Sequence, residues 1–247
     1  MRSARGTGST AGNPARKARS LVSRATAALV VAAVLTVAAG CTSTGSTTAT
    51  AVTPAAGTVL SDSAAAMSSV TSAGFELSVQ GQLPAVPVQQ ATGQLTAAGD
   101  AKGSGTISEL GQVVEVEFVL TGGRLYLKGP TGGFTEVPSA AAGAIYDPSV
   151  ILNRDRGVAK VLSSVQGATV TGTDGEAWQV SGTVPAAVAG GLVPGITTDV
   201  TAVFTIAMAG SQLTAATFTL TGADGKPATV SVKLSDLNAP VSISPPG

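Results

Sequence analysis

The chain has 247 residues, with 14 Lys+Arg, 14 Asp+Glu, no His and one Cys, so its formal net charge is zero. The balance argues against a nucleic-acid-binding domain, which carries a basic excess. The absence of His removes the commonest general base and transition-metal ligand, and a lone Cys allows neither an internal disulfide nor a Cys-based zinc site. No cofactor, no metal and no catalytic group are expected, and the length suits one domain or two small ones.

The zero is a sum over two unlike pieces. Arg2, Arg5, Arg16, Lys17, Arg19 and Arg24 fall in residues 1–40, which hold no acid. An uncharged, mostly apolar run follows at 25–39 (ATAALVVAAVLTVAA), closed by Gly40-Cys41. A basic start, a short apolar stretch and small residues at its end read as a secretory signal peptide. The run is short for a membrane span, which needs about 20 apolar residues. Ala38-Ala39-Gly40-Cys41 resembles the bacterial lipobox, with Ala38 in place of the usual Leu, so Cys41 is the expected lipidation site. Two or three acyl chains there anchor a protein stably where one does not. Residues 41–247 keep eight bases against fourteen acids, a formal charge of −6. Residues 42–57 (TSTGSTTATAVTPAAG) read as an uncharged flexible tether. Three parts are thus expected: a signal at 1–40, the lipidated Cys and tether at 41–57, and a folded domain at 58–247.

Leu60, Ala64, Met67 and Val70 are spaced as on one face of a helix over 59–73. Thr58 or Ser61 could cap it, and Gly74 stands where it should stop. The period then changes to two. Phe75, Leu77 and Val79 alternate with polar residues, as do Val114, Val116, Phe118 and Leu120. Leu125 and Leu127 flank Tyr126. Trp178 and Val180 alternate likewise; Val200 to Met208, Phe218 with Leu220, and Val230 to Leu234 complete the set. Gly-containing turns at 98–100, 121–123, 173–175, 209–211 and 223–226 separate the runs, so the sheet should be antiparallel. One interruption, at 139–166, carries helical spacing. There Asp147 and Pro148 suit a helix start, and Val158, Val161, Leu162 and Val165 recur as on a helix face. A second, at 184–196 (VPAAVAGGLVPGI), reads as a short helix or flap.

The stretch 125–162 is similar to the LppX/LprAFG lipoproteins of mycobacteria and related actinobacteria. The residues that carry the likeness are Leu125-Tyr126, Ile145-Tyr146-Asp147-Pro148, Leu152-Asn153, Asp155, Gly157-Val158-Ala159 and Val161-Leu162. Arg154 stands where relatives often have Pro after the Asn. The resemblance implies an α+β fold: a half-open, U-shaped antiparallel β-barrel with a few helices packed on it, enclosing an apolar cavity. It also implies a ligand, an acylated lipid or glycolipid, carried toward the outer envelope. The expected partners are the plasma membrane, through Cys41 on its outer face, and a membrane lipid transporter. No nucleic acid is expected, and the protein should be a monomer.

The cavity is expected to be lined by Ile107, Val114, Val116, Phe118, Leu125, Leu127, Ile145, Ile151, Leu162, Val180, Phe204, Ile206 and Phe218. About half should touch lipid, since pockets and cores share apolar lining. Residues 103–105 and the 184–195 flap are candidates for the mouth. Tyr146 and Asp147 read as a structural cap. Glu115 and Glu117 share one face of a strand, as a glycosidase's carboxylate pair would, but that face should be solvent. The rivals to a carrier are a structural or partner-binding lipoprotein with a vestigial cavity, and an envelope hydrolase. A filled interior, with no void for even one C16 chain, would sink the carrier.

Overall fold

The computed structural model describes residues 53–83, 88–109, 112–138, 148–193, 196–222 and 225–247. Cys41 and Ile145, together with Tyr146 and Asp147, lie outside them. Residues 50–247 form one compact unit.

Helix α1 is Ala56–Ser68, three residues earlier at its start than the periodicity suggested. Ala55 precedes it without a side-chain cap, so Thr58 and Ser61 lie inside the helix and cap nothing. The buried stripe is Ala56, Val59, Leu60, Ser63 and Met67. The helix ends on serines, not glycine. Ser68 and Ser69 hydroxyls donate back to the carbonyls of Ala65 and Ala66, both at 2.7 Å. Such local bonds compete with the helical ladder and suit a terminus. Gly74 sits instead inside the first strand, where an added Cβ would come within 2.6 Å of Ser235 Oγ. Its role is close approach between strands.

Six strands follow: β1 Ser72–Gln80, β2 Val88–Thr96, β3 Ala101–Glu109, β4 Gln112–Thr121, β5 Arg124–Lys128 and β6 Thr135–Glu136. A 3-10 segment, Pro148–Leu152, and helix α2, Val158–Ser164, interrupt the sheet. Then come β7 Gln166–Asp174, β8 Ala177–Val184, helix α3 Ala186–Leu192, β9 Val200–Ala207, β10 Leu213–Thr221 and β11 Pro227–Ser235. All eleven strands form one antiparallel sheet in the order β6-β5-β4-β3-β2-β1-β11-β10-β9-β8-β7. Two meanders are zipped together by β1 and β11, and β6 and β7 are left as edges. The sheet is therefore open, not a closed barrel.

The pairing explains how alternation became a two-faced sheet. Phe75, Leu77 and Val79 oppose Leu234, Val232 and Val230 across β1–β11. Directly opposed residues share a face, so one apolar face runs across the molecule. The β4–β5 hairpin turns at Gly122 and Gly123, both with positive φ (57° and 74°), as a two-residue turn matching strand twist requires. After β11, Asn238 also adopts positive φ and accepts a hydrogen bond from the Thr71 amide at 2.8 Å. The Ser72 hydroxyl donates to the Ala239 carbonyl, so the C-terminal segment is tied to the start of β1.

Helix α1 packs on α2 and against β7 and β8, and α2 also meets α3 and the 3-10 segment. The core lies between these helices and the apolar face of β1 and β8–β11. The sequence signature near α2 has a local cause. The Asn153 carboxamide accepts hydrogen bonds from the amides of Asp155 (3.0 Å) and Arg156 (3.1 Å), which turns the chain. The Gly157 amide then donates to the Asn153 carbonyl at 2.7 Å. A Cβ at Gly157 would collide with the carbonyls of Ile151, Asn153 and Val150. The Asn and the Gly together make the corner, with Arg154 between them.

Candidate functional site

An apolar void sits under the helices. The sheet contributes Leu77 from β1, Val184 and Val200 at the facing ends of β8 and β9, and residues of β10 and β11, among them Phe218 and Val232. The cover contributes Ile151, Val158 and Val161, with Ala189, Leu192, Val193 and Ile196 from α3 and the residues after it. Every described lining residue is aliphatic or Phe, so none of them binds a charge or moves a proton. The cavity volume is about 30 Å³. Ligand pockets run at about 300–1,000 Å³. In this conformation the walls leave no room for a C16 chain.

Two of the thirteen expected residues, Ile151 and Phe218, line the void. Leu162, Val180, Phe204 and Ile206 are fully buried in the core around it, with the Phe204 ring meeting Phe218 edge-on at 6.1 Å. Six more gather elsewhere. Ile107 opposes Val114, Phe118 opposes Leu127, and Leu120 opposes Leu125, with Val116 in the same face of β4. These half-buried residues form an apolar strip on the inner face of β3, β4 and β5. The void's α3 wall falls within the segment expected to be a helix or flap. Leu77, Val230 and Val232 were missed as lining although their alternation was visible. What alternation lacked was the knowledge that β1 and β11 are neighbours at the centre of the sheet.

The glycines proposed for a mouth are on the inner face but are tightly packed. A Cβ at Gly103 would strike the Thr92 carbonyl, and one at Gly105 would lie 2.6 Å from the Gln90 carbonyl. On the opposite face, Glu76, Gln90, Thr92, Ser104, Thr106, Glu115 and Lys233 border a polar groove of about 560 Å³. Glu115 and Glu117 are exposed there, as expected. Glu117 Oε1 is 2.7 Å from Lys128 Nζ, and Glu76 Oε2 is 3.7 Å from Lys233 Nζ. Each of these two carboxylates has a cation beside it.

Known proteins share this fold. The model of the LppX_LprAFG lipoproteins matches residues 55–243. The chain is 33% identical over 177 residues to the lipoarabinomannan carrier protein LprG of Mycolicibacterium smegmatis, covering 69% of this chain and 74% of that one. It is likewise 33% identical over 183 residues to a Mycobacterium bovis protein named "Putative diacylated glycolipid transporter LprF", covering 68% of this chain and 69% of that one. The crystal structure of LprF from Mycobacterium bovis superposes with a TM-score of 0.65 at 27% identity, over 77% of this chain and 96% of that chain. The family match spans most of the folded unit, and this chain is a member of the LppX_LprAFG lipoprotein family.

Proposed function

We propose that the protein is an exported, membrane-anchored carrier that shelters the acyl chains of multiply acylated lipids, glycolipids or triacylglycerol as they cross the cell envelope. The observation that supports it most is the all-apolar void between an open sheet and a short-helix cover, in a family with relatives named as carriers. A C16 chain exposed to water costs on the order of 12 kcal/mol, at about 0.8 kcal/mol per CH₂. An apolar shelter lowers that barrier with no acid–base chemistry, so this reading is not an enzyme.

The small void sets a condition on the reading. A chain enters only if the cover moves, and α3 is the weakest part of that cover. It is seven residues long with Gly190 and Gly191 inside it, and Gly costs a helix about 1 kcal/mol relative to Ala. It also forms one wall of the void through Ala189 and Leu192. The same small volume favours a second reading, a structural or partner-binding lipoprotein whose cavity is vestigial.

The two readings separate in one experiment. Residues 50–247, purified without detergent from an actinobacterial host, are weighed by native mass spectrometry and offered labelled lipid in vesicles. The carrier retains co-purified lipid or moves it between vesicles. Retention of none and transfer of none overturns the carrier and leaves the structural reading. Anchoring through Cys41 on the outer face of the plasma membrane, after removal of residues 1–40, belongs to the same proposal. Its test is the Cys41→Ala chain, expected in the soluble exported fraction; persistence in the membrane would overturn it.

A further inference from the structure

The apolar face of the sheet is divided by two phenylalanines. Phe75 on β1, Gly93 on β2, Gly103 on β3 and Phe118 on β4 stand in one cross-strand row. Strands lie about 4.8 Å apart, so the two aromatic residues start three strand spacings from each other. Their ring centroids are nevertheless only 6.5 Å apart, at 42°. The rings lean toward each other over the two glycines. Neither glycine could carry a side chain beneath them, because a Cβ on Gly93 meets the Lys102 carbonyl and one on Gly103 meets that of Thr92.

The neighbouring row shows what the rings separate. Leu77, Ala91, Gly105 and Val116 follow one another across β1 to β4. Leu77 lines the void, and Val116 belongs to the half-buried strip on β3–β5. Between them are only a methyl group and a hydrogen. Phe75 is buried (2% exposed), whereas Phe118 is half-buried and packs on the core from the strip's side. On the sheet side, void and strip are thus parted only by this low stretch, and the two rings meet beside it.

We propose that Phe75 and Phe118 form a gate between the two apolar regions. Closed, it keeps void and strip apart; parted, it joins them into one groove that accepts a saturated acyl chain of a diacylated lipid. Side-chain size at position 118 then sets how fast a long chain is admitted. This rests on the carrier reading and names the residues that regulate that site.

The test uses residues 50–247 and phosphatidylcholine vesicles doped with fluorescent diacyl phospholipids bearing C8 or C18 chains. Phe118→Ala removes the ring on the strip's side and is expected to speed C18 uptake about fivefold, in keeping with the loss of one aromatic pair, while C8 uptake changes little. Phe118→Trp is expected to slow C18 uptake. Phe118→Leu keeps the apolar volume without the ring contact, so it answers for a Phe118→Ala chain that fails to fold. If wild type takes up lipid and all variants match it, or if C8 and C18 rise together as general loosening would make them, the gate is overturned and the carrier stands. No uptake by any chain, wild type included, overturns the carrier and the gate with it.

Discussion

The two halves of the apolar face have the same pattern and different fates. On β9, β10 and β11 the inner residues are buried: Phe204 and Ile206 are fully enclosed, and Val230 and Val232 nearly so. On β3, β4 and β5 the inner residues Ile107, Val114, Val116, Phe118, Leu125 and Leu127 are only half-buried. Both halves alternate apolar and polar residues, so alternation does not distinguish them. The difference is the cover. Helix α1 lies against β7 and β8, and α2 and α3 line the void with β10 and β11, whereas β2 meets the 3-10 segment, and the β2–β3 part of the face carries Ala91, Gly93, Gly103 and Gly105. One half is committed to stability. The other keeps apolar surface that folding has not used up, as a binding surface does.

The comparison breaks first at Phe204. Phe204→Ala leaves a cavity in the closed half and should cost about 3–5 kcal/mol, read from the urea midpoint of residues 50–247. Phe118→Ala in the open half should cost about 1–2 kcal/mol, because the ring is half in water already. Equal losses would mean that the two halves are one core. Next in size is Gly157→Ala. Its methyl would press on three carbonyls at the corner before α2 and should cost about 2–3 kcal/mol, as overpacking does. Amide exchange should rise in α2 and α3 more than in β2–β5. A uniform rise would show that the cover does not open separately from the sheet.

Legibility in the sequence follows the same division. The strands with bulky inner residues were readable because Val, Leu and Phe alternate strongly in β1, β4, β9, β10 and β11. Strands β2 and β3 carry no such signal, since their inner face is mostly Ala and Gly. β7, an edge strand, shows only Ala168 and Val170 toward the core. The start of α1 was misplaced because Ala55–Gly57 have no polar cap to mark it. At the site, Ile151 and Phe218 were legible as large apolar residues, but Leu77 and Val232 needed the β1–β11 pairing, which joins residues about 160 apart in the chain. The gate needed that register too. Only when Gly93 and Gly103 stand in one row do Phe75 and Phe118 become neighbours.

A smaller effect should separate α3 from the rest of the cover. The Asp199 carboxylate accepts a hydrogen bond from the amide of Ala186, the first residue of α3, at 2.9 Å. It thereby satisfies one of the amide donors a helix start leaves free. Asp199→Ala should cost about 1 kcal/mol and raise amide exchange across 186–193 about fivefold. If α3 is the part that moves, C18 uptake should quicken with it. Faster exchange without faster uptake would leave α3 loose but not the door.

The smallest predicted effect runs the other way. Ser63 is fully buried on α1, in the closed half, and its hydroxyl has no hydrogen-bond partner. A buried hydroxyl left unsatisfied costs about 1–3 kcal/mol, and an alanine of nearly the same shape removes that cost. Ser63→Ala should therefore stabilise residues 50–247 by about 1 kcal/mol, a rise of about 2–4 °C in Tm by calorimetry. Lipid uptake should stay unchanged, because the substitution hardens a half that does not open at β2–β3. A fall in Tm would mean the hydroxyl is doing structural duty. Slower uptake at higher Tm would mean that opening of α1 is coupled to loading, and the division between a fixed half and a receptive half would have to be redrawn.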